Sequence, residues 1–345
     1  MLKPSQLSEL KELLEQSQNP IFFYDNDADG LCSFLLLRRF LGKGKGVAIR
    51  SYPELSGSYA KKLKELNADR VFILDKPLIS EEFIKEAAQL KTAIVIIDHH
   101  INLRNFPSEI KVFNAAGKEE VSEPVTYEMY RLTFKKEDVW IAVAGCIADH
   151  YLPDFLNIFL EQYPEMWGKD IKEPFDALYK TEIGKIAQAL NFGLKDSTSH
   201  VLQFQQFLIE CKSPHDFFVE GKKNYNFLKK YSYLKKKYDS LIKKAELCAK
   251  GKVLFFKYSG NISMSSEISN ELFYKFPDKY IVVAYVREGV SNISLRGKNV
   301  LKILNNVLKE FPDATGGGHL DAVGAKIKKA DLEKFKEIFE REASG

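Results

Sequence analysis

The chain has 345 residues, with 51 lysines and arginines against 47 aspartates and glutamates, and a net charge of +4 at pH 7. It contains no run of about 18 apolar residues, which excludes a hydrophobic transmembrane helix. The four cysteines are scattered without CxxC spacing, so they argue against a zinc site and indicate reduced thiols in a cytoplasmic protein. The weakly basic charge permits a polyanionic partner without requiring one.

The first elements are a polar helix and a strand that ends in aspartates. Residues 3–17 predict an amphipathic helix rather than a signal peptide. Residues 21–30, IFFYDNDADG, predict a buried strand whose carboxyl end carries three aspartates at alternate positions. The apolar segment LCSFLLLRRFL follows and predicts a helix that ends at Gly42.

Three more apolar segments end in acidic residues or histidines. RVFILD predicts a strand ending in Asp75, and TAIVIIDHH predicts a strand ending in the tripeptide at 98–100. The apolar segment 139–148 ends in Asp149. Because helical patterns alternate with these segments and no hairpin signals occur, we expect a doubly wound parallel sheet with all four ends at one edge.

The second half of the chain has a different character. From about residue 153 to residue 252, apolar positions with helical spacing are interleaved with lysines and tyrosines. Beyond residue 251 the strand-like segments KVLFFKY, KYIVVAYV and SNISLRG precede DATGGGHLDAVGAKI and a final helical pattern. This order predicts a helical segment between two α/β parts.

The acidic strand ends have the composition of a two-metal hydrolytic site. Carboxylates packed closely together repel one another unless a cation neutralises them. Oxygen-rich clusters suit Mg²⁺ or Mn²⁺, and a histidine ligand favours Mn²⁺. The alternative is an acidic turn beside exposed polar strand ends, because aspartate and glycine are ordinary turn residues. The candidate residues are Asp25, Asp27, Asp75, Asp98, His99, His100 and Asp149.

These motifs resemble those of a known family. DNDADG, the strand-end Asp75, the DHH tripeptide and the apolar segment ending in Asp149 look like the four motifs of the DHH phosphoesterases, most closely RecJ-type nucleases and their archaeal relatives. GGGHLDAVGA with SLRG resembles the family's C-terminal domain, so the resemblance covers about 20–150 and 251–340. It implies an α/β protein with a doubly wound parallel-sheet DHH domain (1–155), a helical connector (156–250) and a smaller α/β C-terminal substrate-binding domain (251–345).

The resemblance also implies roles for the site residues. The site would hold two Mn²⁺ ions, with Mg²⁺ as a possible substitute, and Asp75 would bridge them. His100 would lie beside the reacting phosphate, and we assign it a catalytic role together with Asp98. The implied metal ligands are Asp25, Asp27, Asp75, His99 and Asp149.

The glycine-rich segment is the predicted substrate clamp. Three glycines let the backbone approach a phosphate or sugar and expose N–H groups as an anion-binding nest. An arginine can place two donors on a phosphate, and a histidine can add a third. The predicted substrate-binding residues are Arg296, Gly316, Gly317, Gly318 and His319.

Two positions depart from the family pattern. Asn26 stands where many relatives have histidine or tyrosine, although a side chain between two ligand aspartates need not coordinate. The second motif usually continues Asp-x-Gly, whereas this chain has Lys76 and Pro77 after Asp75. A proline removes one backbone donor beside the expected bridging carboxylate.

The sequence therefore predicts a cytoplasmic, Mn²⁺-dependent phosphodiesterase that acts as an exonuclease on single-stranded DNA or RNA, with replication or repair proteins as further partners. One alternative is a hydrolase of short oligonucleotides or cyclic dinucleotides. Another is a non-catalytic scaffold of a replication complex, against which the intact ligand positions argue. A pyrophosphatase is disfavoured by the connector rich in lysine and tyrosine.

The segment 222–252 could line a path for a single strand. Its lysines would contact phosphates, and its tyrosines would stack on bases. A solvated helix with a core stripe of tyrosine and leucine explains the same pattern. The tyrosines concerned are Tyr225, Tyr231, Tyr233 and Tyr238.

Overall fold

The computed structural model describes residues 1–51, 53–101, 105–116 and 123–344. The chain divides into two compact units, Met1–Tyr231 and Ser232–Gly345. The predicted division into three domains at residues 155 and 250 stays a prediction. Within the described ranges, no helix combines the length and the apolar character needed to cross a membrane.

The first unit contains ten helices and five strands, apart from short 3-10 turns, among its described residues. In chain order they are α1 (Pro4–Gln16), β1 (Pro20–Asp25), α2 (Ala28–Leu41), β2 (Lys45–Ile49), α3 (Ala60–Glu65), β3 (Arg70–Leu74), α4 (Glu81–Gln89), β4 (Ala93–Asp98), β5 (Lys111–Asn114), α5 (Val125–Thr133), α6 (Val139–Ala148), α7 (Leu156–Gln162), α8 (Pro174–Lys180), α9 (Glu182–Gly193) and α10 (Thr198–Glu210). The next helix, α11 (Tyr225–Glu246), runs across the boundary between the two units.

The five strands form one parallel sheet in the order β2-β1-β3-β4-β5. From β1 the chain first adds β2 at one edge of the sheet. It then returns to the other side of β1 and adds β3, β4 and β5 in turn, so the direction of winding changes between β1 and β3. Ligands of open α/β sheets bind in the crevice at the carboxyl ends of such neighbouring strands. The predicted doubly wound parallel sheet is confirmed, and its switch point lies where the acidic motifs end.

Both faces of this sheet are covered, because alternate residues of each strand enter different cores. Phe22 and Tyr24 of β1 pack in one core with residues of α2, α5 and α6. Ile21 and Phe23 pack in the other core with residues of α3 and α4. This burial on two faces explains why the strands are almost continuously apolar.

The expectation that segment 139–148 lies in the sheet is wrong, because these residues form α6. Nine of its ten residues are buried, and a fully buried helix is as apolar as a buried strand. Gly145 permits close packing, since a Cβ there would lie 2.6 Å from Thr126 Oγ1 and 2.8 Å from Cys32 Cβ. The helix still delivers Asp149 at its carboxyl end.

The segment predicted as a connector is helical, and its first helices share a core with the sheet. Phe159 of α7, Ile186 of α9 and Phe204 of α10 are buried in the same cluster as Phe22. Asn191 of α9 accepts a hydrogen bond of 2.8 Å from the backbone N–H of Ala28. These helices therefore support the acidic turn that precedes α2.

The second unit has a mixed sheet with helices. Its remaining elements are β6 (Val253–Ser259), α12 (Ser265–Lys275), β7 (Tyr280–Arg287), β8 (Val290–Arg296), α13 (Val300–Leu308), β9 (Thr315–His319), β10 (Ala322–Lys328) and α14 (Leu332–Ser344). The strand order is β6-β7-β8-β10-β9, in which β6 and β7 are parallel and the other pairs are antiparallel. The predicted smaller α/β part is therefore present.

Candidate metal centre

The turn after β1 places three aspartates at the switch point of the sheet. Asp27 is the N-cap of α2, and its Oδ1 accepts a hydrogen bond of 2.9 Å from the N–H of Gly30. A Cβ at Gly30 would lie 2.6 Å from the carbonyl oxygen of Asp25, so this position requires glycine. Asp29 is 2% exposed, and its oxygens accept hydrogen bonds from two N–H groups at the start of α5.

Asp75 follows β3 and turns into the same crevice. Its backbone is left-handed, with φ of 57°, which aspartate tolerates better than most residues. The N–H of Asp75 donates to the carbonyl of Ile97 on β4 at 2.9 Å, so Pro77 does not disturb this hydrogen bond. The residue is 3% exposed, and its carboxylate is therefore buried at the strand end.

His99 lies between carboxylates from two elements. Its Nε2 is 3.3 Å from Oδ1 of Asp75 and 3.7 Å from Oδ2 of Asp149. Two sets of side chains bring one possible ligand atom each to within 4.8 Å of one another. The first set is Asp75, His99 and His100, and the second is Asp29, His99 and Asp149.

Asp98 orients the neighbouring histidine. Oδ1 of Asp98 accepts a hydrogen bond of 2.7 Å from the backbone N–H of His100 and lies 3.1 Å from its Nδ1. The same Nδ1 is 3.8 Å from Oδ1 of Asp75. Asp98 is 1% exposed, so it contacts His100 from the buried side of the site.

Sequence reasoning missed two residues of this cluster. Asp29 was visible as the third aspartate of the motif, but its neighbours on α5 and its closeness to His99 depend on the fold. Lys76 is 4% exposed, and its Nζ lies 3.0 Å from Oδ1 of Asp25. The structure thus brings the predicted residues to one crevice, but it pairs Asp25 with an ammonium group.

Burial and crowding raise the pKa values of three carboxyl groups in the cluster. Burial, with the charges of Asp25 and Asp29, raises the pKa of Asp27 to about 8. Burial and the charges of Asp27 and Asp29 also raise the pKa of Asp75 well above its ordinary value. The pKa of Asp149 rises to about 6 through burial, although the charge of His99 opposes the shift. Without metal ions, burial and mutual repulsion therefore favour the protonated forms of these carboxyl groups.

The pKa values of the two histidines are set by burial, which lowers them, and by nearby carboxylates, which raise them. Burial alone would lower the pKa of His100, but the hydrogen bond to Asp98 and the charge of Asp75 raise it to about 9. For His99, burial lowers the pKa, while the charges of Asp149 and Asp29 outweigh it and give a net increase. Both imidazoles therefore gain protons from the acidic surroundings.

The donor set fits divalent metal ions. Oδ1 of Asp75 is buried and has no hydrogen-bond partner among the described residues, although it lies near His99 Nε2. An octahedral ion with bonds of about 2.1 Å needs adjacent ligand atoms about 3.0 Å apart. The separation of 3.3 Å between Asp75 Oδ1 and His99 Nε2 is close to this value.

In the second unit, Arg296 and His319 lie in one row across three strands. Arg296 on β8 and His319 on β9 are both paired with Ala322 on β10. Residues directly opposite one another in antiparallel strands project from the same face of a sheet. The Arg296 side chain also donates from Nε to Asn270 at 2.6 Å and from Nη2 to Ser266 at 3.2 Å.

The predicted nest of glycine N–H groups is wrong, because the three glycines belong to the edge strand β9. A Cβ at Gly316 would lie 2.9 Å from Leu308, and Gly318 has φ of +142° with only 2.6 Å to the carbonyl of Ala322. A Cβ at Gly317 would meet nothing within 4 Å. The fold therefore requires glycine at Gly318, whereas the leucine side chain beside Gly316 can shift and Gly317 leaves open space beside the strand.

The tyrosines of α11 differ in burial. Tyr238 is 2% exposed and donates from its hydroxyl to Glu271 at 2.7 Å, so its predicted role in base stacking is wrong. Tyr231 packs against the core of the first unit. Tyr225 and Tyr233 are 50% and 58% exposed.

Several solved structures share the fold. RecJ from Thermus thermophilus in complex with Mn²⁺ has a TM-score of 0.67 and 14% identity over 100% of this chain. The alignment spans 55% of that protein, so this chain matches about half of its length. An exonuclease RecJ bound to manganese has a TM-score of 0.63 and 16% identity, covering 100% of this chain and 95% of the other.

CDC45 from Entamoeba histolytica is also similar, with a TM-score of 0.55 and 10% identity, covering 99% of both chains. At these identities the likeness establishes the fold. No curated protein matches this sequence.

The first unit is a doubly wound α/β domain with carboxylates and histidines at its switch point, and a mixed-sheet unit follows it. This combination of fold and site defines the class of protein. Residues 21–149 match the DHH family, N-terminal domain, and residues 250–345 match the DHHA1 domain. The chain therefore belongs to the DHH family of phosphoesterases, which confirms the resemblance predicted from its motifs.

Proposed function

We propose that this protein is a phosphodiesterase that uses two Mn²⁺ ions to hydrolyse single-stranded nucleic acid as an exonuclease. The observation that carries the proposal is the buried Asp75 carboxylate. Its Oδ1 lacks a hydrogen-bond partner among the described residues and lies 3.3 Å from His99 Nε2. A buried carboxylate is costly unless cations compensate it, and the two nearby imidazoles are shared with Asp149 and Asp98.

The residues that would hold the ions come from four elements. Asp75 would be shared, because it lies nearest the middle of the cluster, within reach of both histidines. Asp25, predicted as a ligand, has one oxygen paired with Lys76, whereas Asp29 joins His99 and Asp149 in one group. The proposed ligands are Asp27, Asp29, Asp75, His99 and Asp149, with Asp25 as an outer carboxylate.

Bound metal ions would supply an activated water and neutralise charge on the phosphate oxygens. The protein's own part is to orient the substrate and provide fixed positive charge. The hydrogen bond to Asp98 raises the pKa of His100, which favours the protonated imidazole that can donate to a phosphate oxygen. Asp98 holds the imidazole in place through its hydrogen bonds, so Asp98 is a positioning residue.

We further propose that the second unit binds substrate through Arg296, His319 and the edge strand. Arg296 and His319 share a face, and the guanidinium group is fixed by Asn270. An edge strand carries backbone N–H groups that point away from the sheet. With open space at Gly317, a phosphate or sugar can approach this backbone closely.

The test begins with protein freed of metal by EDTA. Single-stranded DNA and RNA labelled at the 5′ or 3′ end are digested with Mn²⁺, with Mg²⁺ and without metal. We expect stepwise shortening from one end with Mn²⁺ only, or with Mn²⁺ faster than with Mg²⁺. Asp278→Asn, which removes an exposed carboxylate from the second unit, is the matched control for aspartate variants of the centre. Equal products without metal would contradict the proposal.

A hydrolase of short oligonucleotides is the second candidate, and the burial of Tyr238 favours it. With that ring in the core, fewer aromatic side chains of α11 can stack on a long strand. Replacing Lys235, Lys236 and Lys237 by glutamine distinguishes the two. A backbone track predicts weaker binding and a shallower salt dependence for a long strand, with a dinucleotide unaffected.

The matched control for that triple variant neutralises three exposed lysines elsewhere in the second unit. These are Lys302, Lys309 and Lys329. If both triple variants treat long and short substrates as the parent does, α11 is structural and the short-substrate function is preferred. A cytoplasmic location and association with replication or repair proteins stay predictions.

A further inference from the structure

A cavity of the first unit lies beside the edge strand β2. Its volume is about 830 Å³. Consecutive residues of β2 from Lys45 to Ala48 line it, and so do Gly44 and Arg50. Successive residues of a strand point to opposite faces, so a cavity lined by all of them follows the edge of the sheet rather than one face.

The walls come from helices on both faces of the sheet. Phe34 of α2 and Val201 of α10 form one wall, and both belong to the core on that side. Tyr59 and Leu66 form the other wall and pack against the opposite core. Among the described residues β2 pairs only with β1, so its outer backbone groups face this groove.

The volume of the groove is close to that of one short extended chain. The five residues of β2 provide about 16 Å of edge at roughly 3.3 Å per residue. A strand of that length, with a spacing of about 4.8 Å and a thickness of about 10 Å, occupies roughly 800 Å³. A helix of equal length and about 10–12 Å in diameter would need roughly 1,200 Å³ or more.

The charge of the groove selects an acidic occupant. Four cations line it, whereas none of the described lining residues is acidic. Arg50 is held in place by donating to the carbonyl of Asp196 at 2.6 Å. Lys62 pairs with Glu65, which lies outside the lining. Leu202 adds an apolar side chain that is 52% exposed. The four cations are Arg38, Lys45, Arg50 and Lys62.

We propose that β2 accepts an extended, acidic peptide segment of a partner protein as a sixth strand of the first sheet. Backbone hydrogen bonds to the edge of β2 would supply affinity, as in other strand additions. Alternate side chains of the peptide would enter the apolar wall and meet the cations. The proposal is independent of the metal centre and of the nuclease activity.

The test uses a fluorescein-labelled peptide of seven residues that alternates glutamate and valine. Fluorescence anisotropy measures its binding to the full chain, and hydrogen exchange measures protection of residues 44–50. We expect binding with protection of β2. Two other peptides serve as controls, one with lysine in place of glutamate and one with alternate N-methylated amides. Neither should bind, because the first has the wrong charge and the second cannot complete the ladder.

Two charge-reversed variants make the test specific to the groove. Lys45→Glu with Lys62→Glu reverses two exposed lining charges, and we expect about tenfold weaker peptide binding or more. Lys61→Glu with Lys64→Glu reverses two exposed charges of α3 outside the lining and should bind the peptide nearly as the parent does.

Several results would overturn the proposal. They are equal binding of the N-methylated or lysine peptide, equal losses in the two double variants, or no binding of the acidic peptide at about 1 mM. Displacement of the peptide by adenosine monophosphate at equal concentration would instead assign the cavity to a small anion.

Discussion

The ammonium group of Lys76 lies 3.0 Å from Oδ1 of Asp25, and the lysine side chain is only 6% exposed. Lys76 directly follows Asp75, so one turn supplies both a carboxylate to the centre and a cation to its rim. Since this cation is part of the chain, it neutralises Asp25 whether or not a metal ion is bound. The pair distinguishes Asp25 from Asp29, whose carboxylate lies within the group formed with His99 and Asp149.

Lys76→Met should destabilise the metal-free protein by about 1–3 kcal/mol, because Asp25 then loses its charged partner. The free energy of unfolding is measured by urea denaturation in EDTA. Lys76→Met combined with Asp25→Asn should be closer to the parent than the single lysine variant, since neither partner is then left charged. Additive losses in the double variant would show that the two groups do not interact.

Asp75→Asn should abolish hydrolysis and leave the fold intact. Asparagine tolerates the left-handed backbone at this position, where φ is 57°. The change removes the shared carboxylate, so the rate should fall by about a hundredfold or more. Rates are measured on a labelled single strand with Mn²⁺, and folding by circular dichroism. A folded variant that kept more than about a tenth of the parent rate would contradict the assignment of Asp75.

Mn²⁺ should support faster hydrolysis than Mg²⁺, and Ca²⁺ should support little. The reason is His99, whose Nε2 lies between Asp75 and Asp149, because imidazole suits transition metals better than alkaline-earth ions. Initial rates are compared at saturating metal, and metal binding is followed by calorimetry. Replacing His99 by asparagine should weaken Mn²⁺ binding more than Mg²⁺ binding. Equal rates for both ions in the parent would argue against His99 as a ligand.

Gly317→Ala and Gly318→Ala should have different effects. The Gly317 variant should unfold like the parent, because its Cβ meets no atom within 4 Å, but it should raise the KM for a single strand. The Gly318 variant should lose stability, since φ of +142° and the nearby carbonyl of Ala322 disfavour a side chain. Unchanged substrate binding by Gly317→Ala would show that no ligand approaches this strand closely.

His319→Ala and Arg296→Ala should also weaken substrate capture without removing bound Mn²⁺. Neither residue belongs to the carboxylate cluster, so metal content should stay at the parent level. Loss of metal from either variant would contradict the proposed division between metal and substrate binding.

The metal-free protein should lose stability as the pH rises from about 5 to about 9. The folded state raises the pKa of Asp27 from 3.8 to about 8 and that of His100 from 6.5 to about 9. The folded protein therefore binds more protons than the unfolded chain in this range, and its free energy of unfolding falls as they leave. Urea midpoints in EDTA measure the trend.

Asp27→Asn is the control for this pH dependence, because it removes one of the groups whose pKa the fold raises and should flatten the curve. Saturating Mn²⁺ should reverse the trend, since metal ions replace those protons and bind more tightly at higher pH. A midpoint that stays constant or rises with pH in EDTA would contradict the protonated centre.

The sequence alone determined the sheet and the place of the site. Parallel strands bring their carboxyl ends to one edge, so strands ending near Asp25, Asp75 and Asp98 had to place these residues close together. Helices such as α2 and α4 followed from local periodicity and the residues at their ends. These features depend on a few neighbouring residues, which a sequence displays directly.

Only the tertiary structure decided the features that depend on distant neighbours. Segment 139–148 is a helix that packs closely at Gly145 against Thr126 and Cys32, although its apolar composition fits a strand equally well. Tyr238 is a core residue whose hydroxyl donates a hydrogen bond to Glu271, a partner that the sequence does not reveal. The pairing of Asp25 with Lys76, and the position of Asp29 beside His99, depend on distances between separate elements. A linear pattern records the type and order of residues, whereas charge pairing and metal geometry depend on their separations in space.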